Sequence, residues 1–122
     1  MEKFMLIVRE DLSRISKLTT EERLSTSPDM MPWVESLIAS GKYITGQPLM
    51  LTGRYVTQHG VTSDGPFIES KEGVSGYDII EAENIEEAVK IAQSCPMVKI
   101  GHAIREVRPL MNMDEFFPKD DK

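Results

Sequence analysis

Residues 3–9, KFMLIVR, carry a short unbroken apolar run containing Ile and Val, the pattern of a buried β-strand. Leu12, Ile15 and Leu18 then recur at every third position, which suits one or two helical turns, and Thr20 ahead of Glu21 and Glu22 reads as a helix start. Met30, Val34, Leu37 and Ile38 fall at i, i+4, i+7 and i+8, one face of a helix. Gly41 follows where helices often end in the left-handed conformation. Pro28 and Pro32 confine that helix to 29–40, because proline is tolerated only in a first turn; a helix running on from Thr20 must break or kink near 27–31. Short extended pieces at 42–45 and 49–51 are punctuated by Gly46, Pro48 and Gly53. Residues 54–57 and 61–63 flank Gln58-His59-Gly60 and predict a hairpin.

The second half is more regular. Residues 74–82 predict a strand interrupted by Gly76, with Tyr77, Ile79 and Ile80 as its apolar content. Asn84, with Glu87 three positions later, predicts a capped helix whose apolar face is Ile85, Ala88, Val89 and Ala92 and which Pro96 ends. A last strand is expected over 98–108, through Ile100, Ile104 and Val107, with His102 inside it. Residues 1–110 are expected to form one domain and 111–122 a tail in which Phe116 and Phe117 could dock. The order of elements is that of an α+β, ferredoxin-like split βαβ domain: an antiparallel sheet with helices on one face. Its other face needs a cover, and a second copy packed sheet to sheet, a homodimer, is the expected one.

Composition narrows the partners. The net charge of −6 disfavours a phosphate backbone, and no run of Lys or Arg supplies a basic patch, so no nucleic acid is expected. The apolar run 4–8 is too short for an export signal or a membrane span, so no membrane partner is expected and cytoplasm is the default. Cys95 is the one cysteine, so no internal disulfide can form. Neither histidine is spaced from the other or from Cys95 as metal ligands are, and no nucleotide-binding or nucleophile-elbow motif occurs. Neither metal nor cofactor is expected.

The run VTSDGPFIESKEGVSGYDII, with GKYITGQPL before it and IREVRPL after it, resembles the DGPF branch of the YCII-related family over nearly the whole chain. That resemblance implies a ferredoxin-like domain assembled as a dimeric α/β barrel. It also implies a regulatory context, since genes of this branch lie near sigma-factor genes. Some wider relatives are small-molecule lyases or dehydrochlorinases that use a histidine–aspartate pair, with the histidine on the first helix. Here Met30, Met31 and Trp33 occupy that helix and no histidine precedes His59, so of that pair only the aspartate-like element, Asp64, carries over.

Asp64 is unusual on its own chemistry. A turn aspartate ordinarily accepts from the backbone N–H two residues on, but that residue is Pro66, which has none. Its carboxylate must reach the Phe67 N–H or beyond, or be offered to a ligand; the plain alternative is a turn that stabilises its own backbone. Phe67 would anchor the loop. Glu69 and Lys71 share a face in an extended chain and either orient Asp64 or a ligand, or are solvated charge. His102, between Gly101 and Ala103, is the candidate proton carrier, with a buried structural histidine as its alternative. Arg9, Arg54, Arg105 and Arg108 could bind an acidic ligand, and Tyr55 and Tyr77 could hydrogen-bond one.

Two functions follow. One is a dimer that binds a small polar or aromatic molecule in a pocket near the DGPF loop, between sheet and helices, with Asp64 and His102 as catalytic candidates for acid–base chemistry without a cofactor, and Arg9, Phe67, Glu69, Lys71, Tyr77 and Arg108 as ligand contacts. The other is a non-catalytic dimeric module, structural or regulatory, in which the motif shapes a loop.

Overall fold

The computed structural model describes residues 1–25, 28–62 and 73–116. In chain order the elements are β1 (Glu2–Glu10), α1 (Leu12–Ile15), α2 (Thr20–Ser25), α3 (Met30–Ala39), β2 (Tyr43–Pro48), β3 (Tyr55–Thr57), β4 (Gly60–Thr62), β5 (Gly73–Ala82), α4 (Ile85–Gln93), α5 (Pro96–Lys99) and β6 (Ile104–Pro109), followed by a 3₁₀ turn at Met113–Glu115. Four strands form one antiparallel sheet in the order β2-β5-β1-β6, the arrangement of a split βαβ domain. β3 and β4 make a separate hairpin.

Strand alternation sorts the sheet into two faces. Phe4 and Leu6 of β1, Ile80 and Ala82 of β5 and Val107 of β6 pack against Trp33 and Leu37 of α3 and Ala88, Ile91 and Ala92 of α4. Cys95, fully buried, closes that core. Each fully buried Leu or Ile here contributes about 1.5–3 kcal/mol. The other face carries the pairs Met5–Ile79 and Ile7–Tyr77, directly opposite one another across β1 and β5 and all partly exposed.

Local chemistry explains the helix boundaries. Thr19 and Glu22 form a reciprocal capping box: Thr19 Oγ1 accepts from the Glu22 N–H at 3.0 Å, and Glu22 Oε1 from the Thr19 N–H at 2.9 Å. The cap is therefore Thr19, one residue ahead of the expected start. Ser25 ends α2 and Met30 opens α3, so the chain does break between them, and Pro32 lies in the first turn of α3. Gly41 takes φ +74° and closes that helix, as expected. Asn84 caps α4 by accepting from the Glu87 N–H at 2.9 Å, while the Glu87 carboxylate accepts from the Glu83 N–H and from Lys42 Nζ.

Four expectations fail. The strand over 98–108 starts only at Ile104, because Pro96 at the first helical position opens the short α5 instead of ending structure; His102 sits in the turn between them. Residues 49–51 form no strand. On α4, Ile85 and Val89 are exposed and Ile91 takes their place in the core beside Ala88 and Ala92. Gly76 does not interrupt β5, but the pairing with β1 slips by one residue beside it, between Val8 and Arg9.

Candidate functional site

The end of β1 and the turn before β6 meet at one end of the sheet. Arg9, Glu10, Asp11 and Arg14 from the first segment, with Gly101, His102, Ala103 and Ile104 from the second, line an open depression of about 310 Å³. The sequence places these residues together for identifiable reasons. Arg9 pairs with Ile104 across the sheet. Asp11 caps α1, accepting from the Ser13 and Arg14 N–H groups and the Ser13 hydroxyl, which turns Arg14 back over the strand end. The His102 and Ala103 N–H groups both donate to the Met97 carbonyl, and Gly101 takes φ +76°, which fixes the turn that carries the imidazole.

Charge in this depression is balanced and ordered. The Arg14 guanidinium donates to Glu10 Oε1 at 3.1 Å. Arg9 donates through Nε and Nη2 to Glu106 Oε1, and Arg108 holds the other Glu106 oxygen at 3.0 Å. Arg108 and then Arg9 hold the Glu106 carboxyl below the usual range. Asp11 is held low chiefly by the Ser13 hydroxyl. About a third of the Arg9 and Arg14 side-chain surface remains open, and each fork keeps N–H donors with no protein acceptor among the described residues.

Glu10 links this site to the opposite side of the same turn. Its second carboxylate oxygen accepts a hydrogen bond from the hydroxyl of Ser75, which is buried where β5 slips register against β1. The Ser75 carbonyl accepts from the Leu49 N–H at 2.8 Å and from Arg23 Nη2 at 3.1 Å, and Arg23 Nη1 donates to the Leu49 carbonyl. Beside these groups lies a second depression, about 280 Å³ and apolar, lined by Leu12, Leu49, Met50, Leu51, Thr52 and Val74.

A third polar cluster is buried under the helices. Asp78 accepts from Arg105 Nη1 at 2.5 Å and from the Tyr43 hydroxyl at 2.6 Å. The Arg105 guanidinium lies 4.9 Å from the centre of the Trp33 ring, and the Trp33 indole N–H donates to Ser94. Burial opposes the Arg105 charge, but the Cys95 sulfur and the Asp78 carboxylate outweigh it and raise its pKa. Burial, then the Asp78 carboxylate, raises that of the Tyr43 phenol. Gly46 leaves room for this: a Cβ there would collide with the Asp78 carboxylate and the Tyr43 hydroxyl.

Of the sequence-predicted residues, the structure brings His102 and Arg9 into one depression. Arg108 joins Arg9 only through Glu106, and Tyr77 lies across from Ile7 on the open sheet face. Asp64, Phe67, Glu69 and Lys71 lie outside the described residues. Arg105, a candidate for an acidic ligand, is instead committed to Asp78. Glu10, Arg14 and Ser75 were missed. Their signal was present only as the acid and base four apart at Glu10 and Arg14, a spacing that brings two side chains together on a helix. Among the described residues no group of three or more His, Cys, Asp or Glu side chains is placed to hold a metal, and no helix is long and apolar enough to cross a membrane.

The sheet order, the two helices on one face and the strand-end site define an α+β domain of the ferredoxin-like kind. The chain belongs to the YCII-related family: the YCII-related domain matches residues 3–111. Among solved structures it is similar to 5-chloro-2-hydroxyhydroquinone dehydrochlorinase from Burkholderia phenoliruptrix AC1100, in complex with 2,5-dihydroxybenzoquinone. The two share 21% identity and a TM-score of 0.51, over 89% of this chain and 94% of that one, a likeness of fold. Among curated proteins none matches this sequence.

Proposed function

We propose that this YCII-related protein is a homodimer that binds a small polar or aromatic molecule in the depression formed by Arg9, Glu10, Arg14 and His102. The observation that carries the proposal is the meeting there of His102 and Arg9, from opposite ends of the chain, with the partly open fork of Arg14 beside them. The arginines supply donors for a ligand oxygen, and His102 supplies a group that can take or give a proton near neutral pH without a cofactor. Asp64, carried by the connection that ends at Gly73, is proposed as a second acid–base group or ligand anchor. The fold likeness to a dehydrochlorinase, whose structure holds a dihydroxybenzoquinone, is consistent with small-molecule chemistry on this scaffold.

The test is ligand-induced thermal stabilisation with small carboxylates and phenols, compared between the wild type and His102→Ala, Arg14→Gln and Asp64→Asn. Stabilisation of the wild type that His102→Ala or Arg14→Gln abolishes supports the site. Equal responses from the wild type and both depression variants overturn it.

A second reading, a non-catalytic dimeric module, is favoured by one observation. Both arginines of the depression are already held by protein carboxylates, so part of each fork is occupied before any ligand arrives. Under that reading the open sheet face is the functional surface, with Met5, Ile7, Tyr77 and Ile79 at its centre.

A further inference from the structure

Arg9 lines the charged depression, but the residues that hold it do not: Glu106 and Arg108 lie outside that lining. Strand alternation sets all three on the open face of the sheet. Arg108 stands opposite Met5, Glu106 opposite Ile7, and Arg9 follows Ile7 by two along β1. Arg108 Nη1 donates to Glu106 Oε2 at 3.0 Å, and Glu106 Oε1 accepts from Arg9 Nε at 3.1 Å and meets Arg9 Nη2 at 3.0 Å. Gripped at both oxygens, the carboxylate has little freedom to rotate. Arg108 first and then Arg9 hold its carboxyl below the usual range, so it stays charged at neutral pH. An ion pair this open to solvent adds little stability, so its larger consequence is the orientation of Arg9.

The atoms used on Arg9 decide what is left. A guanidinium carries five N–H donors in one plane. The Nε–H and the Nη2–H beside it form the side-on edge, and Glu106 occupies that edge. The end-on edge, one N–H from Nη1 and one from Nη2, has no acceptor among the described residues. Those two N–H bonds are parallel and match two oxygens in one plane. The lining charges balance, Arg9 and Arg14 against Glu10 and Asp11, so the preference comes from this edge and not from a net field.

We infer that Glu106 is a positioning residue: it turns the end-on edge of Arg9 to the ligand, and the group this edge recognises is a carboxylate. Arg108 fixes Glu106 and does not itself touch the ligand. This rests on the reading that the Arg9–His102 depression binds small molecules, and it adds the recognised group and the residue behind it.

The experiment is calorimetric titration of the whole protein with hydrocinnamate and with its amide, hydrocinnamamide, which keeps the shape and replaces one acceptor oxygen by a donor nitrogen. The wild type is expected to bind hydrocinnamate at least about tenfold more tightly, the step from a neutral to a charge-assisted hydrogen bond. Glu106→Ala releases Arg9 and should weaken hydrocinnamate about tenfold while changing the amide less than about twofold. Glu106→Gln loses the charge but keeps an oxygen to hold Arg9, and should stay within about threefold of the wild type. The Glu106 side chain is 32% exposed, so the fold tolerates both changes, and a melting curve of each variant checks this. If Glu106→Ala binds hydrocinnamate as tightly as the wild type, or more tightly, Glu106 is a bystander or a competitor; the positioning role falls while the functional reading stands. A Glu106→Gln variant as weak as Glu106→Ala also overturns the role, because the charge and not the grip on Arg9 would then matter. Equal binding of acid and amide by the wild type overturns the carboxylate and leaves the functional reading standing. If neither probe binds, both fall.

Discussion

Asp78 and Arg105 form a buried ion pair across the strand that separates them. Asp78 stands opposite Leu6 and Arg105 opposite Val8, on either side of β1, and their side chains meet over it at 2.5 Å. Their side chains are 12% and 3% exposed. The pair therefore joins the three strands that carry both ends of the candidate site.

Removing one partner strands the other charge in the core. Asp78→Ala should cost about 3–5 kcal/mol, whereas replacing both with apolar residues of similar volume should cost far less, because paired desolvation is relieved together. Denaturant unfolding of the two single variants and the double variant checks this. Additive single and double effects would mean that the pair is not coupled.

Acid should destabilise the fold through a named bond. The Lys42 ammonium, then the Glu83 N–H, lowers the Glu87 carboxyl below its ordinary value of 4.5. A depressed folded-state pKa gives stability that is present above the unfolded value and lost as pH falls through the folded one. The contribution is therefore complete above about pH 4.5 and fades below it. Glu87→Gln should lower stability at neutral pH and flatten the acid limb of the melting temperature profile. Tyr43 works at the other end: its raised pKa gives stability that is complete below pH 10.0 and lost at higher pH. Tyr43→Phe should remove part of the alkaline loss.

The proposed dimer is testable on the open sheet face. Ile79 stands opposite Met5 near the middle of that face, away from the helix-packed core. Ile79→Glu should convert a dimer to a folded monomer in light scattering behind gel filtration, with the helical circular dichroism unchanged. A wild-type monomer at micromolar concentration would overturn the dimer.

Much of the fold was legible because periodicity and caps report directly on local geometry. β1, α3 and α4 follow from the KFMLIVR run, the spacing of Met30 to Ile38 and the Asn84 cap. What was not legible depended on tertiary contacts. Val98 and Ile100 look like strand residues, but Pro96 started a helical turn and moved His102 out of the strand. Ile85 and Val89 match a helical face as well as Ile91 does; only the position of β5 and β6 decides which is buried. Of the candidate site, a lone histidine and a strand-end arginine could be singled out. Nothing in one dimension brings Glu10 to Ser75 or Asp78 to Arg105, because such pairs are products of sheet order.

The central claim is that a small molecule binds beside His102. The chain has two histidines, and His59 lies in the hairpin turn, bonded to Gln58, which makes it an internal control. The most direct measurement follows both imidazole signals by NMR while a carboxylate ligand such as hydrocinnamate is titrated. The account predicts a saturable shift of the His102 resonances, because that imidazole lines the depression, while His59 stays still. His102 signals that remain unmoved at saturating ligand, or that move only in step with His59, would contradict it.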